Sequence, residues 1–145
     1  MRKPSWPCRR SSKIWTTWFS SRYGKGRRAV DGGSGTDEVV VGGLVAGTSA
    51  SNNLTSLAAL LNNVEALNVR DGLNSNLTLS ASLVQSIVDQ GASSQLTVYA
   101  NLSGDTLAIS DPYYTATAVA GGTDYTIYSD AAKTIQVAQV HWQLA

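Results

Sequence analysis

The chain has 145 residues, of which 43% are hydrophobic and 14% are charged. This length fits one domain with an appendage, and the charged fraction lies well below the ~25% of an ordinary soluble domain. A single cysteine excludes an intramolecular disulfide, and no apolar run approaches the roughly 18 residues that a membrane-spanning helix needs. The N-terminus also lacks the continuous apolar stretch of a secretory signal.

The net charge of +1 hides a strong asymmetry between two parts of the chain. The first 28 residues hold nine of the eleven basic residues and no acid, whereas the remainder holds Arg70 and Lys133 against ten acids. The basic residues of the first part are Arg2, Lys3, Arg9, Arg10, Lys13, Arg22, Lys25, Arg27 and Arg28. The two parts can attract each other, within one molecule or between copies, over a Debye length of about 8 Å.

Composition divides the chain into three segments. Residues 1–28 form a basic, aromatic N-terminal arm that cannot build a core of its own. Residues 29–50 are rich in glycine and predict a hinge with one short strand at Val39–Val41. Residues 51–145 predict a β-rich globular domain that begins with a helix.

In chain order, the first candidate element is residues 13–20, the only part of the arm that can form a short strand or a helical turn. The best helix is predicted over residues 51–68, because apolar residues fall on one side of a helical wheel. These residues are Leu54, Leu57, Ala58, Leu60, Leu61, Val64 and Leu67. Ser51, Asn52 and Asn53 are good N-cap types, and Asp71-Gly72 predicts the end of the element.

From residue 73 the apolar period changes to two, which predicts strands. These cover 77–83, 96–100 and 107–109, whereas 84–90 fit either a helical turn or more strand. A hairpin is predicted from 113–120 and 124–130 around Gly121-Gly122. In residues 133–145 the apolar face switches, which indicates a bulge or a strand buried on both faces, and this strand is expected inside a sheet.

The predicted fold class is mainly β, with a minor α+β component. The elements indicate a compact antiparallel β-sandwich or barrel-like domain with one amphipathic helix and an extended basic N-terminal arm.

Catalytic chemistry has little support in the sequence. The one histidine, His141, lies between Val140 and Trp142 in a predicted strand, and no G-x-S-x-G motif accompanies it. We therefore predict that the protein is not an enzyme, and we interpret His141 as a strand residue that faces solvent or a neighbouring chain. One cysteine and one histidine do not make a transition-metal site, and no cofactor is predicted.

Calcium binding is left open by four aspartates. Asp105–Asp111 and Asp124–Asp130 share the pattern D-x-x-x-x-S-D. In a strand the two acids of one copy lie about 20 Å apart, so they cannot share an ion, and turn formation at strand ends is the favoured interpretation. The sequons at Asn53, Asn76 and Asn101 could accept glycans only in a secretory protein.

The arm carries the main functional hypothesis, and four interpretations compete. It binds nucleic acid through its cations and aromatic rings, or it anchors this subunit on a neighbouring one, or it is a cleaved transit peptide, or it has no function. We favour the second interpretation. The predicted partner-binding residues are Arg9, Arg10, Trp15, Trp18, Phe19, Arg22, Arg27 and Arg28.

The favoured function is a structural subunit of a large assembly, such as a minor capsid or decoration protein of a virus or bacteriophage. Its expected location is the virion, assembled in the host cytoplasm, and its expected partners are other structural subunits and copies of itself, with no membrane. The alternative is a nucleic-acid-binding protein whose β domain oligomerises, and a third class is a surface or pilus-like subunit.

Overall fold

The described part of the chain is built mainly of β-strands, which confirms the predicted class. The computed structural model describes residues 13–18, 30–42, 52–53, 55–70, 74–88 and 94–144. Its strands are β1 (Lys13–Trp18), β2 (Val30–Asp31), β3 (Asp37–Gly42), β4 (Asn52–Asn53), β5 (Leu61–Asn62), β6 (Ala66–Asn68), β7 (Ser75–Leu79), β8 (Gln95–Ala100), β9 (Thr106–Ile109), β10 (Tyr114–Val119), β11 (Gly122–Tyr128) and β12 (Gln136–Leu144). Its helices are α1 (Thr55–Ala58) and α2 (Ala81–Val88).

Successive segments of the chain lie one above another as a three-sided stack of turns. The first turn contains β2, β3 and β4, the second β5, β6 and β7, and the third α2, β8 and β9. Each strand pairs in parallel with the corresponding strand of the next turn: β2 with β5, β3 with β6, β6 with β8, β4 with β7 and β7 with β9. This arrangement is a short β-solenoid, in which each turn contacts only its neighbours. We call the described residues between 30 and 109 the stack.

Polar side chains connect one turn of the stack to the next. Asn68 Nδ2 donates to Glu38 Oε1 at 2.8 Å, across a sequence separation of 30 residues. Asn63 Nδ2 donates to Asp31 Oδ1 at 2.7 Å, across 32 residues. Neither bond joins directly opposed residues: Asn68 lies opposite Val40, and Asn62 rather than Asn63 lies opposite Asp31. The bonds connect neighbouring positions of adjacent turns and so help to fix the register of stacking.

One seven-stranded sheet continues beyond the stack, in the order β1-β3-β6-β8-β12-β11-β10. The pairs from β1 to β12 are parallel, whereas β12, β11 and β10 form an antiparallel meander. After β9 the chain makes the β10–β11 hairpin and then returns along β8 as β12. The sheet therefore has β1 and β10 as its two outer strands.

The hydrophobic core lies inside the stack and extends to β11 and β12. Leu67, Val98 and Trp142 are in register on β6, β8 and β12, and their side chains are buried. The helix α2 packs against β5, β8 and β12 and buries Val84, Ile87 and Val88. Burial of these apolar side chains is the main stabilising contribution of the interior.

Several predicted elements are confirmed. Val39–Val41 lie in β3, residues 96–100 lie in β8, and the predicted hairpin is β10–β11. The pairing of β11 with β12 shifts register between Ile127 and Tyr128, because Ile127 pairs with Ala138 and Tyr128 with Gln136. The bulge predicted from the switch of apolar face is thus present, and β12 lies inside the sheet as expected.

The predicted antiparallel arrangement is wrong for most of the sheet, and the sandwich or barrel is not confirmed. Among the strands that the structure describes, antiparallel pairing is limited to β10, β11 and β12. Period-two alternation identifies a strand but carries no information on the direction of its partner. In the stack, one turn of the chain separates consecutive sheet strands, and strands joined by such a crossover run parallel.

The helix predicted over residues 51–68 is also wrong. Of the described residues in this range, only Thr55–Ala58 are helical, and Leu61–Asn62 and Ala66–Asn68 are strands. Asn63 has a φ of 53°, which an α-helix does not allow. Leu61, Val64 and Leu67 are spaced by three residues and are all buried in the core. A bent strand that buries every third residue therefore shows the same apolar spacing in the sequence as one face of an α-helix.

The strand predicted over residues 77–83 ends early. Leu77 and Leu79 belong to β7, but residues 81–88 form α2, so the helical alternative for the ambiguous segment is correct. Ser80 Oγ accepts a hydrogen bond from the N–H of Leu83 at 3.1 Å, and Asp111 Oδ2 accepts one from the N–H of Ala81 at 2.7 Å. Both acceptors satisfy first-turn donors that would otherwise lack a partner.

Part of the segment predicted as a hinge lies within the stack. β2 and β3 come from residues 30–42, and Val39 is fully buried. Gly33 and Gly35 have φ of 84° and 126° in the bend between these strands. The division of the chain into arm, hinge and body stays a prediction.

Candidate functional site

The residues predicted to bind a partner fall mostly outside the described part of the chain. Arg9, Arg10, Phe19, Arg22, Arg27 and Arg28 lie outside the described residues. Trp15 and Trp18 lie in β1, in register with Val39 and Gly42 of β3. The main chain of this part of the arm therefore lies at one edge of the seven-stranded sheet of the same chain.

The strand β1 confirms that the segment around residues 13–18 can form a strand. It pairs in parallel with β3 along its whole length, from Lys13 opposite Asp37 to Trp18 opposite Gly42. Among the described strands, β3 is its only ladder neighbour. A segment of the arm thus adds a strand to the sheet of its own chain, with the main-chain pairing that strand addition also uses in peptide recognition.

The opposite edge of the sheet is β10, which pairs with β11 alone among the described strands. The N–H of Tyr128 donates to the carbonyl of Tyr113 at 2.8 Å. In an antiparallel ladder, hydrogen-bonded and non-hydrogen-bonded pairs alternate. Residues 115, 117 and 119 therefore direct their main-chain groups to β11, and residues 114, 116 and 118 direct theirs away from it.

One of these outward carbonyls is occupied by a lysine. Lys133 Nζ donates to the carbonyl oxygen of Tyr114 at 2.8 Å. Lys133 belongs to the loop between β11 and β12 and has a φ of 56°, an uncommon value for a residue other than glycine. The loop thus places a charged side chain on one end of the β10 edge.

The loop that carries Lys133 is organised by Asp130. Its carboxylate accepts hydrogen bonds from the N–H of Ile135 at 2.8 Å, from the N–H of Thr134 at 3.0 Å and from Thr134 Oγ1 at 2.9 Å. The Ile135 and Thr134 hydrogen bonds lower the pKa of the Asp130 carboxyl, because they favour its charged form. The loop also closes through Lys133 N–H to Asp130 O and Ser129 N–H to Ile135 O.

Large apolar side chains are exposed close to this edge. Tyr113 and Tyr114, at the start of β10, are 37% and 39% exposed, and Ile135, in the Asp130 loop, is 59% exposed. The Tyr114 ring lies 6.3 Å from the Tyr125 ring on the neighbouring strand. Exposed aromatic and aliphatic residues of this kind often mark a contact surface.

His141 lies on the sheet face opposite the core, where it pairs with Asp124. His141 Nδ1 is 2.5 Å from Asp124 Oδ1, and the two side chains are 22% and 30% exposed. Thr97 and Thr117 are in register with this pair on the flanking strands. On the same face, the Arg70 guanidinium lies 5.1 Å from the centre of the Tyr99 ring.

The four aspartates considered for calcium do not come together. Asp105 accepts hydrogen bonds from the N–H groups of Ser75, Asn101 and Leu102. Asp111 caps α2, Asp124 pairs with His141, and Asp130 organises its own loop. Within the described ranges, no group of three or more His, Cys, Asp or Glu side chains is arranged to hold a metal ion. Asp105, Asp111 and Asp130 lie next to strand ends, as the turn interpretation predicted, whereas Asp124 lies within β11 and does not fit it.

The β10 edge and the residues that control it were not predicted from the sequence. The segment Tyr114–Val119 contains no charge and no proline, which is unusual for an outer strand and was the available signal. The role of Lys133 had no signal in the sequence, because it depends on a contact with Tyr114, 19 residues away.

No helix in the part of the chain that the structure describes is long and apolar enough to cross a bilayer. No protein-family model, curated protein or solved structure matches the chain.

Proposed function

We propose that this chain is a structural subunit of a large protein assembly, and specifically a minor capsid or decoration protein of a virus or bacteriophage particle. The observation that carries the proposal is the open seven-stranded sheet, in which the outer strands β1 and β10 each have a single ladder neighbour among the described strands. Open edges accept strands from neighbouring subunits.

The stack supports this role because it is a rigid support for such edges. Side-chain bonds between turns, such as Asn68 to Glu38 between β6 and β3 and Thr106 to Asn76 between β9 and β7, hold adjacent turns together. Stacked-turn proteins present extended surfaces along their length, as a subunit wedged between neighbours requires. The step from this architecture to a virion is an analogy of form.

In the proposed mechanism, the basic arm attaches the subunit to its neighbours. Arg9, Arg10, Arg27 and Arg28 pair with carboxylates on an adjacent subunit, and Trp15, Trp18 and Phe19 fill apolar pockets there. Because Lys13–Trp18 pair with β3 of the same chain, the mechanism has the arm present these side chains to a neighbour from the edge of its own sheet. The opposite net charges of residues 1–28 and 29–145 support attraction between copies. Because ordering so long an arm costs much entropy, several anchors must act together.

The test measures how much of the chain is incorporated into capsid-sized particles that are isolated from the organism encoding it. The full chain should co-sediment with capsid-sized particles, and deletion of residues 1–28 should strongly reduce its occupancy. Deletion of residues 1–12, which keeps β1, should leave an intermediate occupancy. A triple variant, Trp15→Ala, Trp18→Ala and Phe19→Ala, separates the aromatic anchors from the charges. Normal occupancy of the 1–28 deletion, or a chain that sediments only as a free subunit, contradicts the proposal.

A second candidate function is nucleic-acid binding, which the nine cations and interleaved tryptophans of residues 1–28 favour. If all nine cations engaged duplex DNA, log K would fall with log salt concentration with a slope of about −8. Filter binding over a salt series, with the 1–28 deletion as control, decides this alternative. Absence of binding at low salt removes it.

A further inference from the structure

We infer that the edge of β10 pairs with the same strand of a second copy, antiparallel and centred on Thr117, so that the sheet continues across a twofold axis. This inference deepens the proposed structural role and rests on it. It assigns a specific interface to the described body, independent of the basic arm.

The first step is the direction of the main-chain groups. Because Tyr113 and Tyr128 form a hydrogen-bonded pair, the N–H and C=O groups of Ala116 and Ala118 point away from β11. They form an unpaired row at the outer edge of the described sheet. Such a row is a template for another strand.

The second step is that most of the strand lacks the features by which natural edges prevent pairing. Tyr114–Val119 contains no charged residue, no proline and no register shift in its pairing with β11. Ala116, Thr117 and Ala118 are exposed. Charges, prolines and bulges are the usual means of protecting an edge, so their lack here leaves residues 116–118 open to a partner.

The third step is the register, which Lys133 selects. Because Lys133 Nζ occupies the carbonyl of Tyr114, pairing centred on Ala116 would have to displace it. Pairing centred on Thr117 places Tyr114 opposite Ala120, which lies beyond β10 in the turn, so that bond stays intact. Ala116 and Ala118 then exchange hydrogen bonds with Ala118 and Ala116 of the second copy, and the two Thr117 residues form the central non-hydrogen-bonded pair.

The fourth step is that this strand is complementary to itself in that register. Thr117 meets Thr117, Thr115 meets Val119, and small alanines meet each other. Threonine and β-branched pairs across strands are favourable, and no like charges are opposed. A strand that is complementary to its own copy forms a closed twofold interface, to which the two subunits contribute the same residues. The chemistry therefore points to a second copy of this chain as the occupant.

Cross-linking of the purified full chain tests the register. In a central non-hydrogen-bonded pair the Cα atoms lie about 4.5 Å apart, within the range that a disulfide spans. The double variant Cys8→Ser, Thr117→Cys should form a disulfide-linked dimer under mild oxidation. The matched control Cys8→Ser, Thr115→Cys places its cysteines opposite Val119 and should not cross-link. Failure of the first variant, or equal cross-linking of the control, overturns the inference.

Charge substitution tests the same interface without a covalent link. Sedimentation equilibrium of the full chain should show dimers, and Thr117→Lys should abolish them because two lysines become opposed. Thr78→Lys, which alters an exposed threonine of β7, should leave them unchanged. A mixture of Thr117→Lys with Thr117→Glu should restore a mixed dimer. Oligomers that persist in Thr117→Lys, or a mixture that stays monomeric, contradict the pairing.

These measurements use purified protein, so they separate this inference from the proposed function. If cross-linking fails while the chain still co-sediments with particles, only the β10 interface is wrong. If the dimer forms but no particle contains the chain, the proposed function is wrong.

Discussion

At the scale of single residues, carboxylates act here as acceptors for main-chain N–H groups. Asp105 receives the N–H of Ser75 from the preceding turn, and Asp111 receives the N–H of Ala81, each across 30 residues. Hydrogen bonds to an ionised acceptor are about twice as strong as neutral ones. The acids thus hold turns, a helix and a loop in place, and the negative charge of the body is partly a consequence of this architecture.

Asp130 gives a prediction on pH dependence. Its pKa is lowered in the folded state by the Ile135 and Thr134 hydrogen bonds, so its contribution to stability is present above the unfolded pKa of about 3.9. This contribution is lost as the pH falls from that value through the lower folded pKa. An NMR titration of the Asp130 carboxyl should show a midpoint below that of an unstructured aspartate, and Asp130→Asn should remove this part of the acid dependence. A midpoint at or above the ordinary value would contradict it.

At the scale of elements, the stacking of one turn on the next depends on close approach of main chains. Gly32, next to β2, lies against the second turn, and its N–H donates to the carbonyl of Asn62 at 3.0 Å. A Cβ atom at this position would lie 2.1 Å from the carbonyl oxygen of Asn63. At Gly121, in the β10–β11 turn, a Cβ would meet nothing within 4 Å, but φ is +83°. The two glycines are therefore required for different reasons.

This difference predicts unequal costs of substitution. Gly121→Ala should reduce the free energy of unfolding by about 1 kcal/mol, the cost of a left-handed conformation, and Gly121→Asn by less. Gly32→Ala should cost more, on the order of 3 kcal/mol, because a backbone must shift to admit the methyl group. Urea denaturation of the three variants measures these values. Equal losses for Gly32→Ala and Gly121→Ala would argue against the contact between turns.

At the scale of the whole molecule, one interior joins the stack to the meander. Leu67 of the middle turn, Val98 of the third turn and Trp142 of β12 are buried in register. Ile127 of β11 belongs to the same cluster. The hairpin and the stack should therefore lose structure together when the middle of this cluster is weakened.

Leu67→Ala tests this cooperation. The fully buried leucine leaves a cavity, so the free energy of unfolding should fall by about 2–5 kcal/mol. Leu144→Ala, at a side chain that is 45% exposed, should change it by roughly 0.5 kcal/mol or less. Urea transitions followed by far-UV circular dichroism and by tryptophan fluorescence should shift together. Equal effects of the two substitutions would contradict the proposed core.

The sequence by itself determined the features that depend on nearby residues. The β-rich class, the β10–β11 hairpin and the bulge in β12 follow from period-two alternation, a Gly-Gly turn and a switch of apolar face. The positive charge of residues 1–28 and the one segment among them that can form a strand were likewise predicted from the sequence. These signals act over a few residues, where local sterics and burial decide the conformation.

The tertiary structure alone decided how the strands combine. Parallel stacking pairs residues about 30 positions apart in most of the ladders. The short repeat Asn-Leu-Thr at residues 53 and 76 does pair in register on β4 and β7, but its spacing of 23 residues did not predict the longer period. The apolar spacing of Leu61, Val64 and Leu67 predicted a helix. In the structure Leu61 lies in β5, Leu67 lies in β6 and Val64 lies between these strands, and all three are buried in the core. The β10 edge also depends on a distant contact, from Lys133 to Tyr114. Pairing direction and edge chemistry are set by which segments meet in space, and a local pattern does not contain that information.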